Sequence, residues 1–215
     1  YIAMTELQWI ILAADAAITL FASLNSLALG RLGRMKSQKR QPGIAYPPLT
    51  VVVTAHNQAL ELKKHLPALL LQDYPADFEV VVVDMASSDE TIPMLEKMEE
   101  EYPCLRHTFT PLTARDISLE RLALTLGIRS ASYSWTILLH AGCRPASPYW
   151  LRRMGDAMLT SNDTRIVVAP VCPDQSDKAD EYATLWRELL WLSYAARHGA
   201  YRTGECNVAY DRNLF

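Results

Sequence analysis

The chain has 215 residues, of which 21% are charged and 50% hydrophobic, and its formal net charge is -3. This length suffices for one domain with a sizeable core, and the composition excludes a disordered chain. The near-neutral charge gives no reason to expect nucleic acid as the main partner. The cysteines Cys104, Cys143, Cys172 and Cys206 lie far apart, which excludes a zinc-finger pattern and favours reduced thiols in a cytosolic compartment.

The first apolar segment runs from Trp9 to Leu29 and is long enough to cross a bilayer as a helix. Basic residues follow it at 31, 34, 36, 39 and 40, so we predict that the rest of the chain is cytoplasmic. Asp15 and Asn25 weaken this prediction, because an ionised Asp in a spanning helix costs roughly 2.5–3.5 kcal/mol on insertion scales. The alternative is an amphipathic helix on the membrane or on the domain. The favoured location is the inner (cytoplasmic) membrane, with residues 1–40 forming the membrane helix and a basic juxtamembrane segment.

Prolines and a glycine at 41–48 predict a linker, after which strand and helix patterns alternate. Buried strands are predicted at 49–54, 78–84 and 135–139, with a less regular strand near 105–109. Helical spacing occupies 58–71, the segment from Ser88 to Glu101, and 118–132, with a kink expected at Pro67. The pattern predicts an α/β domain over 49–215 with a mainly parallel sheet flanked by helices.

Ligands bind beyond the carboxyl ends of such strands, so the candidate site segments are 54–58, 84–89 and 140–145. No Gly-x-Gly-x-x-Gly or Gly-x-x-x-x-Gly-Lys pattern is present, which excludes the phosphate cradles of the Rossmann and P-loop folds.

At these strand ends the chain resembles the family 2 glycosyltransferases of the GT-A fold, in particular bacterial membrane-anchored members. The resemblance rests on six segments in order: VVVTAHNQ (51–58), QDYP (72–75), VVVDMASSDET (81–91), ARDISLERLALTLGIRSA (114–131), LLHAGCRPASPYWL (138–151) and GECNVAYDRNLF (204–215). It implies transfer of a sugar from a UDP-, GDP- or dTDP-sugar to a glycan or lipid-linked acceptor. Relatives carry their catalytic base beyond the point that corresponds to Phe215. We therefore expect a domain truncated at its C-terminus and name no base.

The resemblance implies a nucleotide-sugar site that contains His56, Asn57, Gln58, Asp84, Arg115 and His140. Gln58 replaces the usual Glu and keeps an acceptor oxygen for a ribose hydroxyl, but without the charge. His56 and Asn57 have plain turn chemistry as an alternative role. Asp84 matches an aspartate that accepts from a base N–H or a ribose hydroxyl. Asp89 matches a later aspartate of the motif, for which helix capping is the favoured role.

Arg115 stands where relatives often place a basic residue, and it is expected to pair with the pyrophosphate of the donor. Relatives also tend to carry Lys near position 120. Because Glu120 is acidic, a phosphate role for its neighbour Arg121 is doubtful.

The segment after the third strand departs from the family. Active relatives have Asp-x-Asp, which binds Mg²⁺ or Mn²⁺, whereas this chain has His140-Ala141-Gly142-Cys143. We therefore expect no Mg²⁺ or Mn²⁺ and name no metal ligand. A soft-metal site at His140 and Cys143 is less favoured than ordinary strand-end roles.

Three functions stay open at this point. A metal-independent enzyme would use Arg144 or Arg115 on the diphosphate. A catalytically inactive pseudo-glycosyltransferase would act as a scaffold or subunit of a membrane assembly with protein partners. A nucleotide-sugar sensor would keep Asp84 and lack chemistry.

On the acceptor side, Asn207 and Tyr210 match a family stretch in which Asp211 replaces an Arg. The helical segment 184–199 is predicted to pack a core face, with an interfacial or acceptor-side helix as the alternative.

Overall fold

The structure is a computed structural model that describes residues 43–111, 118–171 and 206–214, with short helical pieces at 14–17, 19–21, 23, 184, 186–187 and 190. The chain divides into two units, residues 1–37 with 170–202 and residues 38–169 with 203–215. All strands of the described part belong to the second unit. The predicted boundaries at 40 and 48 stay predictions.

One sheet of six strands lies in the described part of the chain, in the order β3-β2-β1-β4-β6-β5. The strands are β1 (Leu49–Ala55), β2 (Phe78–Asp84), β3 (Leu105–Phe109), β4 (Trp135–His140), β5 (Ile166–Val168) and β6 (Val208–Asp211). The first four are mutually parallel, whereas β6 runs antiparallel to both β4 and β5. The predicted mainly parallel α/β fold is confirmed.

The helices between the strands are α1 (Ala59–Leu70), α2 (Thr91–Glu101), α3 (Leu119–Ser130) and α4 (Trp150–Met158), and a 3-10 turn covers Arg212–Leu214. Apolar side chains at helical spacing explain why α1 packs, since Leu62, Leu66 and Leu69 are all buried. Pro67 lies inside α1.

Both faces of the sheet are covered, which is why β1 is buried at every position. Val51 and Val53 face the cluster that includes residues of α1, α2 and α4, whereas Val52 faces the cluster of α3. On the α3 side a glycine permits close approach, because a Cβ added at Gly127 would lie 2.3 Å from Cγ1 of Val52. Because β1 to β4 are parallel, their carboxyl ends lie at the same edge of the sheet.

The predicted membrane helix, Trp9–Leu29, lies mostly outside the described residues. Among those that are described, no helix is both long and apolar enough to span a bilayer. In the described helical pieces between residues 14 and 23, the side chains of Leu20 and Phe21 are exposed. In the other predicted helix, at 184–199, Trp186 is partly exposed. The membrane helix and the packing face of 184–199 stay predictions.

Candidate functional site

The loops after β1 and β2 are joined by hydrogen bonds at the carboxyl edge of the sheet. His56 Nδ1 donates to the carbonyl of Met85 (2.7 Å), and the backbone N–H of Asn57 donates to Ser87 Oγ (2.8 Å). The side-chain oxygen of Asn57 accepts in turn from the backbone N–H of Ser88 (2.7 Å). The predicted residues His56 and Asn57 therefore hold the second loop in place, and turn chemistry is at least part of what they do.

Gln58 and Asp89 serve the same junction. Gln58 Oε1 accepts a hydrogen bond from the backbone N–H of His56 at 3.4 Å. The oxygen predicted to contact a ribose hydroxyl therefore bonds within its own loop. Asp89 accepts from the backbone N–H groups of Thr91 (3.1 Å) and Ala59 (3.2 Å), at the starts of α2 and α1. The hydroxyl of Thr91, followed by these amides, lowers the pKa of Asp89 below its usual range. Asp89 thus has the capping role favoured from the sequence.

Asp84 ends β2 with its side chain 0% exposed. One carboxylate oxygen, Oδ2, accepts from the backbone N–H of Ser87 at 3.0 Å. The other, Oδ1, is buried and has no hydrogen-bond partner among the residues that the structure describes. A buried carboxylate oxygen without a donor is costly, so Asp84 has an acceptor available for a ligand.

Backbone conformation marks the same edge. Of the non-glycine residues that the structure describes, those with positive φ are Asn57 (51°), Ala86 (55°) and Asn207 (60°). Asn57 and Ala86 follow β1 and β2, and Asn207 precedes β6, with its N–H on the carbonyl of Leu138 (2.8 Å) near the end of β4. Asn tolerates this region, but for Ala it costs about 1–2 kcal/mol. Such conformations cluster at functional sites.

The end of β4 carries His140, which is held from the neighbouring strand. The register pairs His140 with Thr54, and Thr54 Oγ1 lies 2.9 Å from His140 Nδ1. Ala141 and the exposed Gly142 follow, so the residue that ends β4 offers an imidazole at this edge. Within the described ranges no three His, Cys, Asp or Glu side chains converge on a common metal position. These residues do not fit Mg²⁺, which takes oxygen ligands, and they bring none of the carboxylates that suit Mn²⁺.

The other predicted residues are not all brought to this edge. Asn207 lies beside the end of β4, but Tyr210 pairs with Thr136 toward the opposite end and packs with Ile128 and Val208. Burial raises the pKa of Tyr210. Asp211 is held by Arg165 and by Asn213.

Of the predicted basic residues, Arg115 lies outside the described residues. Arg144 and Arg121 are exposed, and the N–H of Arg121 donates to the cap of α3, Ser118 Oγ (3.3 Å). The structure therefore brings together His56, Asn57, Gln58 and Asp84, with His140 on the adjoining strand.

Thr54, Ser87 and Ser88 orient the predicted residues, although they are not among the site residues predicted from the sequence. Their positions in the sequence could have indicated this role, because each lies at or just after the carboxyl end of a predicted strand.

The family model described as Glycosyl transferase family 2 matches residues 50–210, three quarters of the chain. The chain belongs to glycosyl transferase family 2. This confirms the resemblance inferred from the sequence, and the α/β architecture matches the GT-A fold.

Among solved structures, the mannosyltransferase PcManGT from Pyrobaculum calidifontis in complex with GDP-Man and Mn²⁺ is similar to this chain. It is 24% identical with a TM-score of 0.67, over 94% of this chain and 56% of that one. S. aureus TarS 1-349 is 19% identical with a TM-score of 0.49, over 60% of this chain and 38% of that one. The present chain thus spans little more than half of the mannosyltransferase structure. A comparison with curated proteins gave no match.

Proposed function

We propose that this chain is the donor-binding part of a glycosyltransferase that acts at the cytoplasmic face of a membrane. It would transfer a sugar from a nucleotide-sugar to a glycan or lipid-linked acceptor. Membership of glycosyl transferase family 2 supports the reaction class. The single observation that supports a donor site is Asp84, whose buried Oδ1 accepts no hydrogen bond from the described part of the chain.

The chemistry of that oxygen favours a nucleotide. An ionised carboxylate only accepts hydrogen bonds, so its partner must bring an N–H or O–H. The N–H of uracil, thymine or guanine, or a ribose hydroxyl, meets this requirement. Because His56, Asn57 and Ser87 hold the flanking loops together, little ordering is left to occur on binding, which favours affinity.

The diphosphate of the donor needs positive charge, and the end of β4 does not supply it through a hard metal. We propose that Arg115 and Arg144 contribute to diphosphate binding, since guanidinium groups match phosphate geometry. His140 adds a ring nitrogen at the same edge, because its Nδ1 is engaged by Thr54 and Nε2 is the remaining ring nitrogen.

A second candidate function is a catalytically inactive pseudo-glycosyltransferase that acts as a scaffold or subunit of a membrane assembly. The feature that favours it is the segment after β4, where the family resemblance implies Asp-x-Asp and this chain has His140 and Gly142. Donor binding and turnover therefore have to be measured separately.

Binding is tested by calorimetry of the full-length protein with UDP-, GDP- and dTDP-sugars, with and without Mn²⁺. We expect binding to at least one donor, unchanged by Mn²⁺. Asp84→Asn should weaken it by about tenfold to a hundredfold, the value of one hydrogen bond to a charged group. Asp163→Asn is the matched control, because Asp163 is exposed in the turn before β5.

Equal affinity of wild type and Asp84→Asn would refute the proposed site, and absence of binding to every donor would refute donor recognition. Transfer is then measured with the donors that bind, as nucleotide release that depends on acceptor. Binding without release would favour the inactive alternative.

A further inference from the structure

Two thiols from distant parts of the chain meet beside the end of β4. Cys143 lies three positions beyond His140, and Cys206 lies immediately before Asn207 at the entry to β6. The two thiols are near enough for each to act on the pKa of the other. Both thiols are free and partly buried.

The backbone holds both cysteines in position. The N–H of Cys143 donates to the carbonyl of His140 (2.8 Å), and the N–H of Asn207 donates to the carbonyl of Leu138 (2.8 Å). Both thiols also pack against the larger core cluster of the sheet. The pair is therefore a product of the fold, in which β6 pairs with β4.

The two sulfurs differ in acidity. The Cys206 thiol, by its hydrogen bond, lowers the pKa of Cys143 to about 6, against the opposing effect of burial. The same interaction raises the pKa of Cys206, which retains the proton. Burial also raises the pKa of Cys104, a thiol that lies just before β3. Cys143 is thus the better nucleophile at neutral pH, because the thiolate is the reactive form.

We infer that Cys143 and Cys206 form a reversible disulfide by exchange with a low-molecular-weight disulfide. The Cys143 thiolate attacks one sulfur of the small disulfide, whose S–S bond breaks and releases one thiolate. Cys206 then loses its proton to that thiolate and attacks Cys143 Sγ, which releases the second thiolate. Two protein thiols are oxidised and one small disulfide is reduced to two thiols, the second taking its proton from solvent.

This disulfide would join the segment after β4 to the chain that enters β6. It goes beyond the proposed function, because it requires no donor, acceptor or turnover. The described cysteines are free thiols in the structure. A reversible disulfide is compatible with this state, because an excess of a small thiol reduces the disulfide again.

The test incubates the full-length protein with glutathione disulfide, alkylates the remaining thiols under acid quench and maps the cysteines by mass spectrometry. We expect loss of two alkylatable thiols, a cross-linked peptide containing Cys143 and Cys206, and full reversal by dithiothreitol. Cys206→Ser should instead accumulate a glutathione adduct on Cys143, because the resolving thiol is missing. Cys143→Ser should form neither product.

Cys104→Ser is the matched control and should oxidise like the wild type, as should Cys172→Ser. Thermal unfolding verifies that each serine variant is folded, and the rate of alkylation of Cys143 against that of Cys104 in the wild type gives a readout that needs no variant. A cross-link through Cys104 or Cys172 would overturn the inference, as would Cys143 and Cys206 remaining alkylatable. Equal alkylation rates at pH 7 for Cys143 and Cys104 would also count against it.

Discussion

Strand β2 carries a buried carboxylate near each of its ends, and the two have opposite surroundings. Glu79, near the amino end, accepts from Thr50 Oγ1 (2.7 Å), from the N–H and hydroxyl of Ser132 (2.6 and 3.0 Å) and from Arg106 Nη2 (2.7 Å). Asp84, at the carboxyl end, accepts one hydrogen bond within the described ranges, from Ser87, and its Oδ1 has no partner there. The same chemical group is thus saturated at one end of the strand and half satisfied at the other.

The difference separates a structural carboxylate from a binding one. Glu79 joins β1, β2, β3 and the segment after α3, and its donors all come from the protein. Asp84 is more deeply buried, and the fold gives it fewer donors. A buried acceptor that the protein does not satisfy is a place where a ligand gains free energy by supplying the donor.

The largest expected effect comes from removing charge at the saturated end. Glu79→Gln places an amide NH₂ against donors and leaves at least one of them unpaired, so the free energy of unfolding should fall by about 3 kcal/mol. Urea unfolding measures this change. Glu96→Gln, on the exposed side of α2, is the control and should change little. A loss below about 0.5 kcal/mol for Glu79→Gln would remove the distinction between the two ends.

The pH dependence of stability should follow the same carboxylate. Burial opposes ionisation of Glu79, but the hydrogen bonds from Ser132, Thr50 and Arg106 outweigh it and hold its pKa below the ordinary value of 4.5. A depressed pKa in the folded state stabilises the protein above pH 4.5, and this contribution is lost as the pH falls through the folded-state pKa. The unfolding free energy of the wild type should therefore decrease below pH 4.5 more steeply than that of Glu79→Gln. Parallel curves for the two proteins would contradict this assignment.

A smaller effect is expected between β1 and β4. Thr54→Val removes the hydrogen bond to His140 Nδ1 and should cost about 1 kcal/mol of unfolding free energy. Thr136→Val is a matched control on the same sheet, because Thr136 is buried and its hydroxyl has no partner in the portion of the chain that the structure describes. That substitution should be neutral or stabilising. If both variants lose the same stability, the Thr54–His140 contact contributes nothing specific.

The smallest effect on stability is expected at Asp84. Asparagine keeps an oxygen for the N–H of Ser87 and has nearly the shape of the carboxyl group, so the unfolding free energy of Asp84→Asn should change by less than about 1 kcal/mol. The measurement is urea unfolding beside Glu79→Gln. A loss as large as that of Glu79→Gln would make Asp84 a structural residue too.

The sequence predicted the parallel part of the fold closely, because its strands are continuous apolar runs. The predicted strands at 78–84 and 105–109 match β2 and β3, and those at 49–54 and 135–139 end one residue short of β1 and β4. β5, β6 and α4 were not predicted. β5 and β6 are three and four residues long and pair across a long separation in sequence, which no local pattern encodes.

The candidate site likewise has features that a local sequence pattern predicts and features that depend on contacts between distant residues. The predicted strand ends and the motif at Asp84 identified the correct edge of the sheet for the candidate site. This was possible because the residue that directly follows an apolar run can be identified from the local sequence alone. The contacts of Asn57 with Ser87 and Ser88, and of Thr54 with His140, join residues from different strands. Their geometry depends on register, which a single sequence does not state.

The late position of β6 has a consequence for how the chain reaches this fold during synthesis. β4 is complete at residue 140, but its antiparallel neighbour comes from residues 208–211. Until those residues leave the ribosome, β4 has an open edge, with backbone N–H and C=O groups able to pair with another chain. Premature termination between β4 and β6 should therefore yield aggregating fragments, whereas chains that extend past residue 211 close the edge themselves.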